Sequence, residues 1–322
     1  MITKFLKFIK KNLPYLIIIS IILGLIYGYF GKPGFLKAYV SYVLFLMVYP
    51  MMINLKFSDV LNSFNNIKPL ITSIGINFLI SPILAFILGK IFFANEPMLL
   101  VGIILIGLIP TSGMTASWTG LAKGNLQLSL VMISVNLLLS VLMIPIYMKL
   151  FLGEIVTVKT MVILNSLLKV VIIPLILGVI TRSLIIKISG MEKYNQMKPN
   201  FSGVSSLGVF IIVFIAMALK SKTIINQLDL IALSIMPLII FYVLIIIISH
   251  FVGKRFLEDK DSISLVYATT MRNLTIALGL SLSSFGESLA VFLIAIGYVV
   301  QLPIAAFYMK LVNKDASQIP PA

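Results

Sequence analysis

Long uninterrupted apolar runs recur along the chain, and charge is confined almost entirely to the gaps between them. A helix that crosses a bilayer needs about 20 predominantly apolar residues. Ten stretches meet that requirement, at 13–31, 38–55, 69–93, 98–121, 126–149, 160–181, 201–219, 231–252, 263–285 and 289–311. The runs are continuous and do not alternate, which argues against membrane β-strands. Hydrophobic residues make up 60% of the 322 positions and charged residues 11%, against about 25% charged in soluble domains. A soluble fold could not cover so much apolar surface with so few charges, so the solvent around most of this chain is lipid. No gap is long enough for a soluble domain, and the longest, 182–200, reads as a loop.

The formal charge of +15 would suggest nucleic acid in a soluble chain. Here the Lys and Arg residues sit in short connections between apolar runs, so they report topology and not a nucleic-acid partner. Lys4, Lys7, Lys10 and Lys11 precede the first run, with no small-residue cleavage site after it, so that run reads as an uncleaved span. With ten spans, the side holding the N-terminus is much the richer in Lys and Arg. The opposite side holds Lys32, Lys37, Lys90, Lys149, Lys159, Lys220 and Lys222. This bias predicts a multi-pass plasma-membrane protein with both termini in the cytoplasm. Cys is absent and His250 is the single His. That excludes disulfides and thiolate nucleophiles, and leaves no ligand set for a metal or residue set for an intramembrane enzyme. No cofactor is expected.

The segments YLIIISIILGLI (15–26) and KVVIIPLILGVI (169–180) align without a gap at an offset of 154, with Gly24 on Gly178. The same offset places the first span on the sixth and the fourth on the ninth. Each half then has five spans, 1–152 and 153–322, and an odd number reverses the second half in the bilayer. Inverted repeats of this kind are a plan of secondary transporters.

Polar residues interrupt two of the repeat-related spans. In the fourth, IPTSGMTASWTGLAKGN (109–125) crowds Pro110, Thr111, Ser112, Gly113 and Thr115 into the middle of an apolar run. In the ninth, YATTMRNLTIALGLS (267–281) carries Thr269, Thr270, Arg272 and Asn273. Broken backbone at membrane depth is tolerated only where it is buried in protein or lines a cavity. Paired interruptions in two halves point to a binding site. Packing through small and hydroxylated residues is the alternative, and Arg272 is hard to explain that way. The ten acidic residues all fall in gaps or at span ends. His250 reads as interfacial and Lys169, beside Pro174, as a side chain that snorkels to the interface or contacts an anion.

On these residues the chain resembles the bile acid:sodium symporter and arsenite-efflux permease superfamily. Pro110 through Asn125 is similar to the fourth-span motif shared by both branches. INFLISP (76–82) and MRN (271–273) resemble bile acid branch motifs, whereas Trp118 and Asn136 are closer to the arsenite branch. The resemblance implies an all-α membrane protein of ten transmembrane helices in two inverted five-helix repeats, with broken helices crossing in spans 4 and 9. It also implies a core domain from spans 3–5 and 8–10 and a panel domain from spans 1–2 and 6–7.

The departures from the family pattern bear on coupling. Ala268 stands where sodium-coupled members carry a Glu, Arg272 where they carry a Gln, Thr115-Ala116 in place of Ser-Asn, and Ile133 in place of a Thr. Ser129 and Asn77 remain as oxygen ligands on offer. Where the arsenite branch has Cys and two Glu residues, this chain has Thr111, Thr275 and Gln301. A guanidinium at 272 would fill the space of the missing cation and donate to carbonyls and threonine hydroxyls of the crossing. The implied activity is secondary-active transport of a small organic anion by alternating access, with Asn77, Thr111, Ser112, Thr115, Ser129, Thr269, Thr270, Arg272 and Asn273 as substrate or ion contacts. Arsenite or oxyanion efflux is the alternative, and a sensor or channel in the same fold a third. The partners implied are a small anionic substrate and the lipid bilayer.

Overall fold

A computed structural model describes residues 5–6, 8–9, 12–54, 67–153, 160–226 and 229–317, and every element among them is helical. In chain order these are α1 (Leu13–Phe30), a 3-10 turn (Pro33–Tyr39) running into α2 (Val40–Ile53), α3 (Ile67–Gly75), α4 (Ser81–Phe92), α5 (Pro97–Leu108), α6 (Met114–Leu121), α7 (Leu126–Leu152), α8 (Thr160–Leu167), α9 (Ile173–Ile225), α10 (Asp229–Phe256), α11 (Asp259–Thr270), α12 (Leu274–Phe285) and α13 (Leu289–Ser317). Among the described residues, six helical stretches are long and apolar enough to cross a membrane, Pro33–Ile53, Ile67–Phe92, Leu126–Phe151, Met161–Ile225, Leu233–Phe256 and Leu289–Asn313. Tyr15–Phe30 and Pro97–Leu108 are shorter apolar helices.

Two widened π turns, Ile76–Ile80 between α3 and α4 and Leu168–Ile172 between α8 and α9, share a cause. Each ends two residues before a proline, Pro82 and Pro174. A proline has no N–H and crowds the carbonyl four residues back, so the helix widens upstream of it. The carbonyl that Pro82 cannot pair with belongs to Phe78, and it accepts a hydrogen bond from the Tyr147 hydroxyl.

The expected loop at 182–200 is helical instead. Residues 173–225 form one run broken only at Gly190, whose φ of 81° and ψ of 164° lie outside the helical region. Apart from Gly190 and Pro199 this stretch holds ordinary helix formers, and glycine reaches a positive φ at little steric cost. The arms on either side both pack on α2. Gly178 meets Met52 and Ile53, and Gly208 meets Met47.

The chain divides into two compact units. The first comprises Met1–Leu55, Thr157–Ser234 and Thr275–Val299. Its helices approach closely at glycines. Gly24 and Gly28 of α1 face 214–218 of α9, and Gly178 faces α2. Side chains then bond to carbonyls across the contact, Ser20 Oγ to Phe210 O at 2.6 Å, Ser205 Oγ to Met47 O at 2.6 Å and Tyr194 OH to Ile53 O at 3.0 Å.

The second unit comprises Lys56–Val156, Ile235–Leu274 and Val300–Ala322. Residues 99–108 of α5 are all buried, as expected of a helix that is apolar around its whole circumference. Two apolar clusters set the positions of α11. One joins Leu265 and Ala268 to Leu70, Ile76, Leu128, Val131 and Met132. The other joins Val266, Tyr267 and Met271 to Ala122, Leu302, Ala305 and Tyr308.

Candidate functional site

Within the second unit, two helix breaks lie against each other. The first separates α5 from α6 at residues 109–113, and the second separates α11 from α12 at 271–273. Pro110 biases the residue before it away from the helical region, and Ile109 is extended, with φ −96° and ψ 100°. The backbone groups freed at each break are satisfied partly by the other. Ser112 N–H donates to Met271 O at 2.8 Å, and Asn273 N–H donates to Ile109 O at 3.4 Å. The Asn273 side-chain amide adds a bond to Thr111 O at 3.5 Å. Interior backbone polar groups need such partners. Thr111 has a φ of 24°, an unfavourable conformation for a β-branched residue. Strain of this kind persists where the surroundings impose it and is concentrated at functional sites.

Arg272 sits at this meeting point, with no exposed surface. Its Nη1 donates to Asn77 Oδ1 at 2.9 Å, and its Cζ lies 5.8 Å from the centre of the Phe241 ring, a cation–π distance. Its backbone N–H donates to Gln301 Oε1 at 2.8 Å. Nε and Nη2 have no partner, and neither has the Gln301 amide nitrogen. Among the described residues no carboxylate forms a salt bridge with Arg272. The expected bonds to carbonyls and threonine hydroxyls are replaced by the bond to a side-chain amide oxygen. Asn77 is aimed by the π turn of which it is part. Its own amide donates to Ser73 Oγ at 3.3 Å and Ala268 O at 3.2 Å, and Asn136 donates to the same Ser73 Oγ at 2.8 Å.

The other expected site residues divide into two groups. Thr111, Ser112, Thr115, Thr270 and Asn273 lie at the breaks and are buried. Thr115 Oγ1 bonds to Tyr267 O at 3.4 Å, while the Thr111 and Thr270 hydroxyls lack partners. Ser129 and Thr269 hold helices together instead. Ser129 bonds to Thr119 at 2.7 Å, linking α6 and α7, and Thr269 bonds to Ser249 of α10 at 2.6 Å. Asn125 in the turn between α6 and α7 ties that turn to the start of α11. Its amide donates to Asp261 Oδ1 at 2.8 Å, its side-chain oxygen caps α7 at Leu128 N, and its carbonyl accepts from Ser264 Oγ at 2.9 Å. His250 lies 3.1 Å from the Tyr308 hydroxyl, and Lys169 is exposed on its π turn.

Four residues joined to this network were not in the expected site set, namely Ser73, Asn136, Phe241 and Gln301. Ser73 and Asn77 are spaced by four, which stacks them on one helix face, and that spacing was the available signal. Phe241 left none, because a phenylalanine among aliphatic residues of α10 reads as lipid-facing or core alike.

The sequence of the whole chain adds an independent line. It is 26% identical over 305 residues to an uncharacterised transporter of Synechocystis sp., covering 87% of this chain and 79% of that one. It is 25% identical over 322 residues to the arsenical-resistance protein Acr3 of Corynebacterium glutamicum, covering 93% and 87% of the two chains. The Acr3 protein of Alkaliphilus metalliredigens is 24% identical over 298 residues, with 87% and 83% covered. The model of the Sodium Bile acid symporter family matches residues 41–227, more than half of the chain. With its apolar helices and two meeting breaks, the chain belongs to that family of membrane transporters.

Proposed function

We propose that the chain is a secondary-active transporter that moves a small organic anion by alternating access. One observation carries this reading. A fixed positive charge is fully buried where two broken helices meet, and part of its hydrogen-bonding edge is unused. An intramembrane ionisable residue is expensive and marks a substrate or ion path. The reading includes ten crossings in two inverted halves and needs no resident cofactor or metal. Reconstituted vesicles loaded with labelled carboxylates under imposed ion gradients provide the test. Saturable uptake with countertransport is expected, and flux that neither saturates nor exchanges would mean a channel instead.

Efflux of an arsenical or another oxyanion is the second reading, favoured by the two arsenical-resistance relatives. Against it, the chain has no cysteine to meet a thiol-seeking arsenic centre. Expression in an arsenical-sensitive host should leave tolerance unchanged, and restored tolerance would favour efflux.

The proposed orientation puts both termini in the cytoplasm, on the distribution of Lys and Arg. Thr223 and Ser189 are exposed, and the chain has no native cysteine to remove. In intact cells an impermeant thiol reagent should label Thr223→Cys and spare Ser189→Cys. The opposite pattern would reverse the orientation.

A further inference from the structure

The hydrogen-bonding groups at the two breaks are unbalanced. The main-chain oxygens at the breaks that could ligate a cation each already accept a bond. Met271 O accepts from Ser112, Ile109 O and Thr111 O accept from Asn273, and Tyr267 O accepts from Thr115. Ala268 O accepts from Asn77, and Thr270 O from the Arg272 backbone. Unsatisfied donors lie beside them, at Arg272 Nε, Arg272 Nη2 and Gln301 Nε2, on side chains with no exposed surface. The hydroxyls of Thr111 and Thr270 can donate as well. Among the described residues of this network, the one unpaired group that can only accept is Asn136 Oδ1, at its far end beyond Ser73. A site with spare donors and a fixed positive charge is complementary to an anion and repels a cation.

The guanidinium is also held in one orientation. Asn77 holds Nη1 and the Phe241 ring lies 5.8 Å from Cζ. The unused edge is the Nε–Nη2 pair, two parallel N–H groups at the spacing of the two oxygens of a carboxylate. Gln301 is tied to the same residue through the bond from the Arg272 backbone to its side-chain oxygen, which leaves its amide nitrogen as a further unpaired donor.

We infer that the Nε–Nη2 edge of Arg272, with the Gln301 amide, is the receptor for a single carboxylate-type oxyanion, and that this site binds no alkali cation. Arg272 is then a built-in counter-charge, and the anion enters without a co-bound sodium ion. The inference rests on the transport reading for its physiological role and not for its test, which measures binding in the absence of any gradient.

Thermal unfolding of the purified full chain in lipid nanodiscs gives the readout, with choline acetate and choline benzoate compared with choline chloride and sodium chloride. The carboxylates should raise the midpoint in a saturable way. Sodium chloride should give the same midpoint as choline chloride. Arg272→Lys keeps the charge and loses the paired donors, so the apparent carboxylate affinity should fall about tenfold or more. Gln301→Leu should weaken it too, and Arg272→Gln should abolish it. If Arg272→Gln does not fold, the Lys and Gln301 variants carry the test. Stabilisation by sodium in place of carboxylate, or an equal carboxylate shift in Arg272→Lys, overturns the inference. Transport of a neutral solute without carboxylate binding overturns it and leaves the transport reading standing. Carboxylate binding by a chain that carries no flux supports the receptor and overturns the transport reading.

Discussion

Replacing Asn77 with Leu should destabilise the chain by about 1.5–3 kcal/mol, the range for losing a hydrogen bond to a buried charged group. Asn77 Oδ1 is the side-chain acceptor for the Arg272 guanidinium, which has no exposed surface and so cannot recover that bond from solvent. The same change removes the amide that holds Ser73 and Ala268 O. Arg272→Met on its own should cost less, because it removes the charge along with its need for a partner. The double variant Asn77→Leu with Arg272→Met should recover most of the loss, since replacing both partners of a buried polar pair by apolar groups is often near neutral. Uptake should not return with stability in the double variant. Thermal melts of the four chains in one detergent check this. Equal midpoints for Asn77→Leu and the unaltered chain would show that Asn77 is not what compensates the charge. Recovery of uptake in the double variant would remove Arg272 from the transport site.

A second large effect is expected in the other unit, at a position with no polar chemistry. A methyl group added at Gly28 would lie 2.0 Å from Ala218 O and 2.7 Å from the carbonyl carbon and Cα of the same residue. The obstacle is backbone and cannot rotate aside, so α1 and α9 must separate. Gly28→Ala should cost about 1–3 kcal/mol, the usual range for overpacking. Gly24→Ala meets Phe214 O at 2.7 Å and the Met217 side chain at 2.8 Å, and it should cost less. Close approach at small residues is a main source of helix association in lipid, where the hydrophobic effect between helices is weak. An unchanged melting midpoint for Gly28→Ala would mean that the two helices are not packed this closely.

Much of this chain was legible before any coordinates. Apolar run length follows from the thickness of the bilayer, so an all-helical, membrane-embedded chain was expected, although 182–200 was expected as a loop and is helical. Pro110 and the polar clusters after it and around Arg272 marked both breaks, because a helix that loses backbone bonds in an apolar setting needs partners nearby. The alignment of Gly24 with Gly178 selected two residues that both lie at close helix contacts. Local chemistry sufficed in each case, because helix continuity and its interruption are decided within a few residues.

Other features depended on contacts distant in sequence. The helical character of 182–200 could not be separated from a polar loop by composition, since charged helix formers serve both, and only the packing of its arms on α2 fixes it. Ser129 and Thr269 share the hydroxyl chemistry of Thr111 and Thr270, yet the first two are engaged by neighbouring helices and the second two are left unpaired. The partner of Arg272 is 195 positions away. A guanidinium accepts any oxygen within reach, so its sequence says that it needs a partner and not which one it has. The amino-acid sequence alone determined that this chain is helical, membrane-embedded and broken in two places around a charge, because those follow from local solvation. That the charge is held by an asparagine from a widened turn, with one edge left unpaired, was decided by the tertiary structure, because it depends on which distant groups reach one point.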